Sequence, residues 1–221
     1  SVSDNARVHL GRKNVLKVDL HDFFPSIRSP RVRAAFREMG YSRPIAKVLA
    51  ELCCLRCCLP QGAPTSPALS NIIAYPMDKK MMALAGEYGL VYTRYADDLT
   101  FSGDYLPKDE VLVRIHRIIR EEGFTMNVKK TRFLSEHKRK IITGVSVSSG
   151  KKMTLPKVKK REIRKNVHYV LTKGLVGHQE HIGSTDPIYL KRLLGSLCYW
   201  RSIEPDNRYV SDSITALKRL M

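Results

Sequence analysis

The chain has 221 residues, enough for one or two domains with a sizeable core. Its 39 Lys and Arg against 21 Asp and Glu leave a formal net charge of +18, which points to a polyanionic partner, nucleic acid first. There is no long apolar run and no signal-peptide pattern, so neither a membrane partner nor export is expected, and the five cysteines, an odd number, argue against a disulfide framework.

In chain order, Asn5 and His9 stand four apart, on one face if their segment is helical. Val15-Leu16-Lys17-Val18 reads as a buried strand with Asp19 at or near its end. Ser29-Pro30 opens a helix that Gly40 stops, and Ser42 opens another with apolar Ile45, Val48, Leu49 and Leu52. Cys54-Leu55-Arg56-Cys57 has C-x-x-C spacing but no two further ligands nearby. These cysteines read as buried small apolar side chains where a helix end runs into a strand. Residues 59–67 form a turn-rich loop, and Ser66-Pro67 starts a long helix through Met77, Met81, Leu84 and Ala85. A hairpin follows over 92–102, then an amphipathic helix from about 109 to 122 with apolar Val111, Leu112, Ile115, Ile118 and Ile119. Residues 124–147 read as short strands, 141–147 the clearest, and 148–150 as a turn. The rest predicts helices over about 156–173, 187–200 and 206–220, with a domain boundary near 150–155. The fold class is α+β, an antiparallel sheet with helices on one face, followed by a small helical domain.

The most informative residues are Tyr95-Ala96-Asp97-Asp98, set between two strand-forming runs. Two adjacent carboxylates at a tight turn repel unless a cation sits between them. With the strand-end carboxylate of Asp19 they can hold two Mg²⁺ about 4 Å apart, the arrangement for in-line phosphoryl transfer. Mg²⁺ prefers oxygen ligands, which suits three aspartates without His or Cys.

Together these segments resemble a reverse transcriptase, more narrowly a bacterial retron-type enzyme. The hairpin matches the family's Tyr-x-Asp-Asp box, and residues 19–24 match its first catalytic motif. Residues 59–67 with Leu69-Ser70-Asn71 resemble the retron form of the Gln-Gly motif. Gly123, Asn127, Lys130 and Thr131 resemble the next polymerase motif. Asn5-Ala6-Arg7-Val8-His9 matches the retron Asn-Ala-x-x-His signature, and Ile142-Thr143-Gly144 is close to its Val-Thr-Gly. Only 18 residues precede Asp19, whereas the family's first fingers motifs lie upstream of that point.

The resemblance implies a right-hand polymerase fold. Residues 1–27 enter the palm, 28–62 are partial fingers, 63–152 complete the palm and 153–221 form a helical, RNA-binding thumb. It implies an RNA-directed DNA polymerase in the bacterial cytoplasm that extends a primer with dNTPs on a structured noncoding RNA. Priming comes from a 2′-OH of that RNA, and the family works in anti-phage defence beside an effector protein. Asp19, Asp97 and Asp98 become the catalytic and metal set. Lys130, with Lys129 as alternative, becomes a general acid or electrostatic partner for pyrophosphate. Phe24 packs under the sugar and blocks a 2′-OH, Gln61 and Gly62 meet the incoming nucleotide, and Tyr95 packs near the primer terminus. Asn5 and His9 either contact RNA or form a capping and packing pair. Lys151, Lys152, Lys157, Lys159, Lys160, Arg161, Arg164 and Lys165 contact RNA phosphates without reading sequence. The rival readings are a group II intron or diversity-generating reverse transcriptase, an RNA-directed RNA polymerase, and an RNA-binding scaffold without turnover.

Overall fold

A computed structural model describes residues 1–220. In chain order the elements are α1 (Val2–Arg7), β1 (Asn14–Leu20), α2 (Phe23–Ser26), α3 (Ser29–Glu38), α4 (Arg43–Cys53) and α5 (Ser66–Glu87). Then come β2 (Val91–Tyr95), β3 (Asp98–Gly103), α6 (Lys108–Glu121), β4 (Met126–Leu134), β5 (Ile141–Ile142) and β6 (Val145–Ser146). Three helices close the chain: α7 (Lys157–His181), α8 (Tyr189–Ile203) and α9 (Arg208–Lys218). Residues 12–138 form one compact unit; residues 1–11 belong with residues 139 onward in another.

In the first unit four antiparallel strands lie in the order β2-β3-β1-β4. Leu16, Val18 and Leu20 of β1 alternate onto one face. There they pack with Leu99 and Phe101 of β3, Met77, Met81 and Leu84 of α5, and Val111, Ile115 and Ile119 of α6. The same alternation turns Lys17 and Asp19 to the opposite face. β1 pairs with β3 so that Asp19 stands across from Asp98 and Val18 across from Leu99. The sheet is thus apolar against the helices and charged on the other side, an architecture of the α+β class.

Several elements depart from the sequence expectation. Asp22 turns left-handed at φ 45° and ends the extended run, so Phe23 and Phe24 both lie in α2. Phe23 is buried and Phe24 half-buried, their rings 5.3 Å apart. Residues 126–134 form one nine-residue strand rather than short pieces. Lys129, Lys130 and Arg132 hide its pattern, because β4 is a sheet edge with no buried residue. Ile45, Val48 and Leu52 of α4 lie exposed, while Ala46 and Ala50 make that helix's buried face. Of the cysteines, Cys57 is exposed and the other four are half-buried. Cys57 follows Arg56 in a tight left-handed turn after α4, so it has no core to enter.

In the second unit, β5 and β6 pair with each other and Ser146 bridges to Thr154. These local bonds draw the compact unit's start to Arg139, ahead of the change in composition at residues 150–155. α7 contains the expected end of a helix at residue 173 as a kink. Gly174 takes φ 76°, which an L side chain resists, and helix resumes beyond it. Trp200 is fully buried, with the Lys160 ammonium 5.6 Å and the Arg164 guanidinium 5.5 Å from its ring centre.

Ile115 anchors α6 with no exposed surface. Ile115→Ala is expected to cost about 2–5 kcal/mol, read as a lower urea midpoint at unchanged slope. A loss well under about 1 kcal/mol would contradict this packing of α6.

Candidate active site

The hairpin of β2 and β3 closes with Tyr95 opposite Asp98, leaving Ala96 and Asp97 as the two turn residues. A two-residue hairpin needs a positive φ, and Ala96 supplies it at 52°. An alanine there costs about 1–2 kcal/mol, so other contacts must hold the turn. One is the Leu20 N–H, which donates to the Asp97 carbonyl at 3.0 Å and ties the turn to β1. The three sequence-predicted aspartates therefore meet at one end of the sheet: Asp19 near the end of β1, Asp98 directly across, Asp97 in the turn.

Each outer carboxylate has its own lysine. Lys17 Nζ lies 3.7 Å from Asp98 Oδ2. Lys130 Nζ lies 3.3 Å from both Asp19 oxygens, but only its approach to Oδ2 has hydrogen-bond geometry. Asp19 Oδ1 is left buried without a hydrogen-bond partner.

Lys130 reaches Asp19 through an irregularity in β4. Lys17 pairs with Arg132 and Asp19 pairs with Asn127, so Val18 alone faces residues 128–131. Such bulges re-aim side chains beside active sites. Thr131 braces the loop, its hydroxyl donating to the Asn127 carbonyl at 3.0 Å. Lys17, Val18, Asp19, Asp98, Lys130 and Arg132 line a cavity of about 220 Å³.

Burial pushes the Asp97 carboxyl above the usual aspartate range. The charges of Asp19 and Asp98 push the same way, while its own backbone N–H and Lys130 pull against them. Among the described residues no three His, Cys, Asp or Glu side chains stand close enough together to hold a metal ion as they are. The lysines offer a reason: Asp98 is drawn to Lys17 and Asp19 to Lys130. The residues nonetheless suit a hard divalent cation. The donors are all carboxylate oxygens, and Asp19 Oδ1 is a buried acceptor lacking a donor.

A second cavity, of about 250 Å³, lies beside the turn and is lined by Phe24, Pro67, Ser70, Arg94, Tyr95 and Ala96 together with Asn71. It brings Phe24 and Tyr95 together; Tyr95 is about half exposed. Gln61 and Gly62 are exposed in the loop before α5 and line neither cavity. Gly62 holds φ 90° with open space where a side chain would start. The Ser66 hydroxyl donates to the Pro60 carbonyl at 2.7 Å, so it pins that loop rather than capping α5.

The remaining sequence candidates lie in the second unit. His9 is fully buried just past the end of α1, and Asn5 is half-buried within it, so they do not share a helix. Burial of His9 suits the packing alternative. Lys151, Lys152, Lys157, Lys159, Arg161, Arg164 and Lys165 are exposed. Lys160 instead is half-buried and bonds Glu204 at 2.6 Å, a contact within the unit.

Sequence reasoning missed Arg94 and Asp78. Arg94 is buried behind the turn and grips Asp78 of α5 through two bonds, 2.8 and 2.6 Å. The available signal was an arginine on the core side of β2, opposite Leu99.

Residues 3–170 match the family described as reverse transcriptase (RNA-dependent DNA polymerase). The chain is 39% identical over 184 residues to the Retron Ec86 reverse transcriptase of Escherichia coli, covering 82% of this chain and 57% of that one. It is 36% identical over 226 residues to the Retron Mx65 reverse transcriptase of Myxococcus xanthus, covering 93% and 50%. The chain thus spans about half the length of the curated relatives it matches. Among solved structures, a telomerase from Candida albicans in complex with a TWJ fragment of telomeric RNA aligns at TM-score 0.47 and 11% identity, over 99% of this chain and 50% of that one, too faint a likeness to argue from.

Because Asp97 titrates above its ordinary value, its protonated form favours the folded state. That contribution is full below about pH 4, the ordinary aspartate value, and is lost as pH rises through the raised one. In metal-free protein at neutral pH, Asp97→Asn is therefore expected to raise the melting temperature, and the gain should vanish below about pH 4. Equal melting temperatures at neutral pH would refute the electrostatic strain assigned to Asp97.

Proposed function

The chain belongs to the reverse transcriptase family, and from that membership we infer that it carries the polymerase centre of a retron-type RNA-directed DNA polymerase. The observation that carries the reading is the register that sets Asp19 across from Asp98 with Asp97 in the adjoining turn. No His or Cys enters that group, as expected of a centre for hard cations.

Reverse transcriptases generally use divalent metals. We assign two Mg²⁺ to Asp19 and Asp97, with Asp98 in support. Bound there, such ions would supply Lewis-acid activation of a primer hydroxyl and charge neutralisation of the departing pyrophosphate. The chain's own residues do the rest. Phe24 walls the cavity beside Ala96, and its ring excludes a 2′-hydroxyl from the incoming sugar. Tyr95, half exposed on the same cavity, packs against the primer terminus. Lys130 brings an ammonium to the carboxylate end, where Nζ meets the pyrophosphate oxygens and supplies their proton. Gln61 and Gly62, on an exposed loop, are free to approach the nucleotide. In the second unit the exposed basic residues of 151–165 grip RNA phosphates.

Residues 28–62 are proposed as partial fingers and 153–221 as the thumb. The template is a structured noncoding RNA and the substrates are dNTPs, in a bacterial cytoplasm. A role in anti-phage defence with an effector protein rests on kinship alone.

The test is dNTP incorporation on an annealed RNA template and primer with Mg²⁺. Asp97→Ala is expected to lower it by about 10²–10³-fold or more while RNA binding persists. Phe24→Ala is expected to raise use of rNTPs relative to dNTPs by about 10-fold or more. Wild-type chain that binds RNA without synthesis would be either a scaffold or a piece that needs residues upstream of this span, and adding such residues would decide which; an unchanged sugar preference would remove Phe24 from its role.

A further inference from the structure

Arg94 is the least accessible charged partner in the unit's ion pairs, its side chain 6% exposed against 18% for Asp78. Its Nε donates to Asp78 Oδ1 at 2.8 Å and its Nη2 to Oδ2 at 2.6 Å, a two-pronged fork. Its Nη1 donates to the Asn71 side-chain oxygen at 3.1 Å and to the Ala96 carbonyl at 3.2 Å. The Tyr92 hydroxyl adds a bond to Asp78 Oδ1 at 2.7 Å. Asn71 and Asp78 lie seven residues apart on α5, two turns along one face. One guanidinium therefore ties two points of α5 to the hairpin turn.

A buried ion pair is poor value as a source of stability. Hydrophobic residues of similar volume often do as well or better, whereas removing one partner costs about 3–5 kcal/mol. What the fork adds is geometry. The Ala96 carbonyl belongs to the peptide that enters Asp97, and Ala96 is the strained left-handed residue of the turn. Arg94 and Asn71 also wall the cavity that Phe24 lines.

Resting on the polymerase reading above, we propose that Arg94 is a positioning residue: through the Ala96 carbonyl it sets the Asp97 carboxylate for cation binding and registers it against the Phe24 cavity. It acts on the cation through Asp97, since a guanidinium has no acceptor atom to offer as a ligand. Lysine keeps the charge, but its three donors radiate from one nitrogen and lack the planar fork that reaches Asp78, Asn71 and Ala96 at once.

The test reads cation binding apart from turnover. Mn²⁺ is titrated into the full chain by electron paramagnetic resonance, with Asp97→Asn as the control that removes the site. Two variants are compared with wild type: Arg94→Lys, and the double apolar replacement Arg94→Met with Asp78→Leu. The double variant is expected to keep a wild-type melting temperature to within a few degrees, yet both variants should bind Mn²⁺ at least 5-fold more weakly. A fall in kcat for dNTP incorporation should accompany this. If both variants fold and bind Mn²⁺ as wild type does, the fork is only structural and the proposal fails. If wild type binds no Mn²⁺ that Asp97→Asn removes, the polymerase reading fails first, and the two failures are told apart by that control.

Discussion

The pairing register of β1 with β3 is the constraint on which everything else rests. Side chains alternate strictly along a strand, so a slip of one residue would move every one of them to the other face. In the observed register Leu16, Val18, Leu99 and Phe101 enter the core, while Asp19 and Asp98 face each other outside it. The burial that holds the unit together thus also fixes the carboxylates. Few substitutions in that core could alter stability without disturbing the acidic end.

Like charges at that end must be offset, and the chain does so differently for each. Asp98 has Lys17, a diagonal neighbour on the sheet, and Asp19 has Lys130, delivered by the bulge in β4. Asp97 lies in the turn, and burial leaves its carboxyl reluctant to ionise. A cation would compete with the lysines for two carboxylates and relieve the third. These electrostatics therefore favour an exchange of positive charges over the filling of a ready-made cage.

Much of this was legible in the sequence because it is local. A short apolar run gave β1, three-to-four periodicity gave α5 and α6, and the acidic turn between strand-forming runs gave the hairpin. What was not legible depends on partners far along the chain. Arg94 and Asp78 are sixteen residues apart and on different elements, and neither breaks its local pattern loudly enough to announce a pair. Asp22 takes a left-handed backbone that no local pattern marks. β4 escaped because an edge strand with lysines outward has no apolar alternation to read. His9 stands open between RNA contact and packing in the sequence, and its burial, which favours packing, has no local signature.

The bulge in β4 has a consequence outside chemistry. β4 is one edge of the sheet, and a long flat edge is a template for any other extended chain. Residues 128–131 interrupt its hydrogen-bonding rhythm, and Lys129, Lys130 and Arg132 load the same stretch with positive charge. A stranger strand would find neither matching spacing nor neutral ground there. The distortion that hands a lysine to Asp19 also makes this edge a poor template for a further strand.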